Sequence, residues 1–170
     1  MKLFKHLMAV LLAGLLAVGL LAGCAPENPE APKPTDPEAL VLYQGIAETC
    51  NRYNVKAPTY TAELDAVAKA IAEGTTINKY YNSTPKAVTD AAKAAVEAMA
   101  DGATYVSYSL NLYEKTEGSP LSTSELKNNI VAKGANCIGI SVVTLKNADG
   151  EDAKYACMVY ARIPDAAAQN

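Results

Sequence analysis

Histidine is almost missing: the 170-residue chain has one, His6, together with no tryptophan and a single phenylalanine. Beyond residue 6 no imidazole is present to act as a general base, which excludes Ser-His-Asp and Cys-His catalysis. A zinc site takes about three or four nitrogen, sulfur or carboxylate ligands, and no cluster in the chain supplies such a set. No glycine-rich loop is there to cradle a phosphate, so neither a metal nor another cofactor is expected. A basic stripe is lacking too. With a formal net charge of −3, the chain has no electrostatic footprint for nucleic acid or for an anionic membrane surface. Long apolar runs are absent apart from Leu7 to Leu21, which at about fifteen residues falls short of the roughly 20 that a membrane-spanning helix needs.

What stands around that run is informative. Lys2 and Lys5 precede it, as the charged region of an export signal precedes its apolar core, and it closes on Leu21-Ala22-Gly23-Cys24. That string resembles the lipobox of bacterial lipoproteins, which implies a diacylglycerol on the Cys24 sulfur, cleavage just before it, and a mature protein held by the lipid on the outer face of the cytoplasmic membrane or at the cell surface. Cleavage removes Lys2 and Lys5 from the 15 Lys and Arg and leaves the rest against 18 Asp and Glu, a net charge of about −5. From Cys24 to Pro37 the chain has prolines at 26, 29, 32, 34 and 37 and no large apolar side chain. Such a segment favours an extended polyproline form of about 3.1 Å per residue and reaches about 40 Å from the lipid. It reads as a tether.

Residues 38–165 then form one domain, and 166–170 a short tail. Leu40, Tyr43, Ile46, Ala47, Cys50 and Tyr53 recur at helical spacing, behind an Asp36 N-cap with Pro37 at the first helical position. A second helix runs from Ala62 to Glu73 behind Thr61, with the stripe Leu64, Val67, Ala68 and Ile71. Thr75 to Ser83 is aperiodic and reads as a loop. Thr84-Pro85 opens a third helix, carried by Val88, Ala92, Ala95 and Met99 to Asp101, with Gly102 as its stop. Thr104 to Tyr113 alternates as a strand. Ser122-Thr123-Ser124-Glu125 is a capping box that opens a short helix to Lys133, and Cys137 to Leu145 and Tyr155 to Ile163 flank a turn at Asn147-Ala148-Asp149-Gly150.

The last two strands set the architecture. Ile138, Ile140 and Val142 fill one face, while Cys137, Gly139, Val143 and Leu145 leave the other with little polarity. A hairpin with one face in water alternates cleanly, so this sheet is covered on both sides. With about four helices to cover it, the expected fold is α+β: a three-layer α-β-α sandwich around a small antiparallel sheet.

In order of elements and in three stretches the chain resembles the CAP superfamily, the cysteine-rich secretory and pathogenesis-related group. The stretches are Leu40 to Gly74, Leu121 to Ile130 with its Lys127-Asn128-Asn129-Ile130 ending, and Ala135 to Val142 with Tyr155 to Arg162. The resemblance implies a secreted or lipid-anchored domain with a cleft, which intact members line with two histidines and two acidic residues that bind zinc. Here Leu126 stands where one histidine would be, nothing between Gly74 and Ser83 replaces the other, and the family's Gly-Glu-Asn-Ile string has no counterpart. The resemblance therefore implies a non-catalytic form, and a binding role.

Two functions of different class follow. The first is a binding module that takes an envelope glycan, peptide or lipid; the second is a hydrolase acting through carboxylates alone. The carboxylate pairs Glu63 with Asp65 and Glu151 with Asp152 read as structural or solvated groups. Ten tyrosines are the stronger feature, since a phenol offers flat apolar area with a polar tip. Tyr80, Tyr81, Tyr105, Tyr108 and Tyr113 are the candidate ligand-binding residues, as rim and floor of one cleft. Beyond Cys24, three cysteines remain, Cys50, Cys137 and Cys157, in a setting where disulfides form. Facing positions of the terminal hairpin sum to about 299, which sets Cys137 opposite Arg162 and not Cys157. Cys50 lies on the buried helix face and is placed to meet either strand cysteine; the alternative is three small buried thiols.

Overall fold

The computed structural model describes residues 32–164. The signal, Cys24 with the tether to residue 31, and the tail from residue 165 lie outside the described residues. None of the described helices is long and apolar enough to cross a membrane.

Helix α1, Pro37–Arg52, starts as its sequence directs: the Ala39 amide donates to Asp36 Oδ1 at 2.8 Å, and Pro37 occupies the first turn. Its buried stripe is Ala39, Leu42, Ile46 and Cys50, rotated from the expected face, so that Leu40 and Tyr43 flank it and Tyr53 is 50% exposed just past the helix. A two-residue strand β1, Thr59–Tyr60, follows. Helix α2, Ala62–Glu73, buries all of Leu64, Val67, Ala68 and Ile71. Thr61 makes no side-chain cap; its backbone amide instead donates to Ile138 O.

The segment expected to be a loop contains a small hairpin, β2 (Thr76–Ile77) with β3 (Asn82–Ser83). Helix α3 spans Lys86–Glu97, shorter than the expected run to Asp101, and Thr84 does not cap it. The Thr84 hydroxyl is engaged by Thr75 and Tyr108 instead, and Pro85 takes the cap position. Strand β4, Thr104–Leu112, ends one residue before Tyr113, which begins the short helix α4, Tyr113–Glu117. Both halves of the Ser122–Glu125 capping box form and open α5, Thr123–Glu125. The helix then widens into a π-helix over Leu126–Ala132, with the Lys133 amide reaching back five residues to Asn128 O.

Strands β5 (Cys137–Lys146) and β6 (Asp152–Arg162) make the terminal hairpin. Its register is one residue off the expected one, with Cys137 opposite Ala161 and not Arg162. The cause is the loop chemistry. Asn147 Oδ1 accepts from the amides of both Asp149 and Glu151 at 2.9 Å, and Gly150, at φ +82°, provides the left-handed residue, so five residues separate the pair Lys146 and Asp152.

The sheet order is β1-β5-β6-β4. It is antiparallel except for β1, which pairs parallel to β5 through Thr59 with Cys137 and Tyr60 with Ile138. Helices cover both faces, giving the α+β three-layer arrangement. On one face Leu42, Ile46 and Cys50 of α1, Tyr113 of α4, and Leu126 and Ile130 pack on Ile138, Ile140, Met158 and Tyr160. On the other, α2 and α3 pack on Leu110, Tyr155, Cys157, Val159 and Ala161. Helix α2 lies against β5 at Gly139, where only hydrogen separates the strand from the Leu64 backbone.

Candidate ligand-binding surface

The β2–β3 hairpin is tied to its surroundings at its base. Thr75 Oγ1 donates to Ile71 O at 2.7 Å and lies 2.7 Å from Thr84 Oγ1, which accepts from Tyr108 OH at 2.8 Å. A hydroxyl has one proton to give, so the chain runs in one direction: Tyr108 donates to Thr84, Thr84 to Thr75, Thr75 to the end of α2. Asn82 Nδ2 adds a bond to Leu110 O at 3.1 Å. The hairpin is thereby fixed to α2 and β4 together. At its tip the Asn78 amide donates to Tyr81 O, and Tyr80 and Tyr81 project with 86% and 68% of their surfaces exposed. Lys79 Nζ lies 5.9 Å from the centre of the Tyr80 ring, at the outer limit of a cation–π contact.

The other three candidate tyrosines do not join them as one surface. Tyr108 is half-buried and serves the hairpin's base. Tyr105 turns its hydroxyl inward without a hydrogen-bond partner, and burial, with Tyr108 and Cys157 nearby, pushes that phenol well above its ordinary value. Tyr113 is buried in the core on the α1 side, while Tyr105 and Tyr108 pack on the α2–α3 side. The expected single cleft of five rings is corrected for this reason: Tyr108 and Tyr113 are five positions apart, so strand alternation turns them to opposite faces, while the irregularity between Tyr105 and Ser107 keeps Tyr105 on the face of Tyr108.

The sheet also separates the cysteines. Cys50 packs on the α1 side and Cys157 on the α2–α3 side, and both are free thiols. Cys137 shares the face of Cys157, but Cys157 stands opposite Ser141, four residues along β5 from Cys137 and about 13 Å away at strand rise, too far for a disulfide. Cys50 is therefore not placed to meet either strand cysteine. Burial raises the Cys50 thiol and pushes Cys157 up to about 12.

Asp65 is the polar group whose role the sequence hid. Its Oδ1 accepts from the Ile140 amide at 2.7 Å, and its Oδ2 accepts a hydrogen bond from Tyr60 OH. The Tyr60 ring in turn leans on Tyr43, centroids 5.9 Å apart. Strand β1 pairs with β5 only as far as Ile138, and the Asp65 carboxylate takes over where it stops, satisfying the next outward amide of the β5 edge. Burial raises the Asp65 carboxyl above its ordinary value, against the lowering pull of its bonds from Tyr60 and Ile140. Glu63 beside it is exposed. Asp152, from the other carboxylate pair, meets Lys146 at 2.8 Å in the open. Among the described residues no three His, Cys, Asp or Glu side chains are grouped to hold a metal ion.

The chain matches no protein-family model, no curated protein and no solved structure.

Proposed function

We propose that the protein is a lipid-anchored, extracytoplasmic binding module. In this reading Cys24 carries the lipid, residues 24–37 space the domain from the membrane, and the Tyr80-Tyr81 tip contacts a glycan of the cell envelope. The observation that carries it is a pair of adjacent phenol rings, 86% and 68% exposed, on a hairpin whose base is bonded to two other elements. Aromatic rings, with two side-chain torsions each, offer contact area at little entropic cost, and an ammonium beside them suits a glycan that bears carboxylates. The element order, two amphipathic helices first and an apolar hairpin last, is the part of the CAP resemblance that supports this reading. Both oxygens of Asp65 are engaged within the fold, which favours binding over hydrolysis through carboxylates.

The test is the double change Tyr80→Ala with Tyr81→Ala in the full-length protein. Rings this exposed contribute little to the core, so the melting temperature should move by only a few degrees. Sedimentation with purified envelope glycan should weaken about fivefold or more, the equivalent of about 1 kcal/mol of contact energy. Retention on envelope peptides or lipid vesicles in place of glycan would change the ligand class. Unchanged retention on all three would refute the role of the tip.

A further inference from the structure

On the α1 side the sheet is apolar along β5 and β6 and turns polar at its outermost strand. Ser107 stands opposite Tyr160, and Ser109 opposite Met158; Tyr160 and Met158 both belong to the α1-side core. Directly opposed residues share a face, so Ser107, Ser109 and Tyr160 all point to that side. The Oγ atoms of both serines and the hydroxyl of Tyr160 are buried and have no hydrogen-bond partner. Tyr160 is 0% exposed. One orphan hydroxyl is tolerable in a core, but three on adjoining positions of two strands form a pattern, because each forfeits its hydration for nothing in return.

Spacing limits what they can serve. Opposed residues have Cβ atoms about 5 Å apart and alternate residues of one strand lie about 7 Å apart, so the three side chains rise from one patch of the sheet. Glu125 and Cys50 face the buried phenol. The Glu125 carboxylate is occupied by the amide and hydroxyl of Ser122, and its charge disfavours an anion nearby. Leu126 and Ile130 of the π-helix belong to the same core, and π-helical turns are often found where a fold has been adjusted for function. Ser107 and Ser109 are themselves half-buried on the edge strand, and Asn111, two residues on, is exposed.

We propose that Ser107, Ser109 and Tyr160 form a binding site for a small neutral molecule rich in hydroxyl or amide groups, such as a single uncharged sugar. The site is independent of the hairpin tip, which is attached through Tyr108 on the opposite face of the same strand.

The experiment is titration of the full-length protein with N-acetylglucosamine, with glucuronate as the charged control, followed by NMR chemical-shift changes. Saturable binding of the neutral sugar with weaker binding of the anion is expected. The double change Ser107→Ala with Ser109→Ala should lower that affinity about tenfold or more while leaving the melting temperature equal or higher, since it removes orphan polar atoms. Tyr160→Phe, of the same ring shape, should do likewise and guards against a folding defect in the serine variant. Tyr80→Ala with Tyr81→Ala should leave this binding unchanged. No saturable binding to the wild type, which would mean the hydroxyls are served by water alone, overturns the proposal. So does full affinity in the serine and Tyr160 variants, or loss of binding in the tip variant.

Discussion

Replacing Gly139 with alanine tests the seam between α2 and the sheet. A Cβ at that position would stand 2.3 Å from both the carbonyl carbon and the Cβ of Leu64, and 2.7 Å from the Asp65 amide nitrogen. These are helix atoms that no side-chain rotation can move, so restoring contacts of about 3.5 Å requires α2 to lift by about 1 Å along its length. Overpacking of this kind costs about 1–3 kcal/mol. The lift also stretches the 2.7 Å bond from the Ile140 amide to Asp65, and a hydrogen bond to a charged group is worth about 1.5–3 kcal/mol. Together they predict a loss of about 3–5 kcal/mol, which in a domain of this size lowers the melting temperature by about 10–20 °C. Thermal unfolding of the full-length protein, followed by circular dichroism, measures it. Gly118→Ala is the control, since nothing lies within 4 Å of its added Cβ and its φ of −73° suits any residue. If Gly139→Ala melted with the control, the helix would not rest on the strand where the structure puts it.

Three further outcomes are expected. For Asp65, a folded-state value raised by burial means that its stabilising contribution is fully present below its ordinary pKa and is lost as pH rises through the raised value. The stability advantage of wild type over Asp65→Asn, measured by denaturant titration, should thus be larger near about pH 3.5 than near about pH 7, and the opposite slope would refute the sign. Native alkylation with iodoacetamide should spare Cys50 and Cys157, whose buried thiols are held above their ordinary value, and should modify both once the chain is unfolded; labelling at the rate of a free peptide thiol would show that the core opens. Cys24→Ser should move the protein from the detergent phase to the aqueous phase or leave it as an unprocessed precursor, and partitioning of the variant with the wild type would remove the lipid from the scheme.

Where local chemistry decides structure, the sequence was sufficient. Asp36-Pro37 starts α1, Ser122 and Glu125 form both halves of their box, and the stripe Leu64, Val67, Ala68, Ile71 is buried as its spacing requires. Where a residue had two uses, it was not. Thr84 before Pro85 has the chemistry of an N-cap, but its hydroxyl is taken by Thr75 and Tyr108, and the helix begins later. Asn147 was legible as part of a turn, yet its side chain binds two amides at once, which sets the loop length and moves the hairpin register by one. Strand β1 has two residues and no pattern of its own; it exists because β5 offers an edge.

The polar groups that matter were the least legible for a related reason. Asp65 and the amide it satisfies are 75 residues apart, so its role in the first turn of α2 looked like dipole chemistry when it is also the continuation of a sheet edge. Ser107, Ser109 and Asn111 alternate with Tyr108, Leu110 and Leu112, and on a strand that alternation is the signature of a face in water. Only Asn111 is exposed; the two serine hydroxyls are buried, as is that of Tyr160 on the same face of the sheet. A polar face turned inward on an edge strand has the same sequence as one turned outward, because the alternation records which residues share a side but not what covers it. What covers it is decided by tertiary packing, which the period of β4 does not encode.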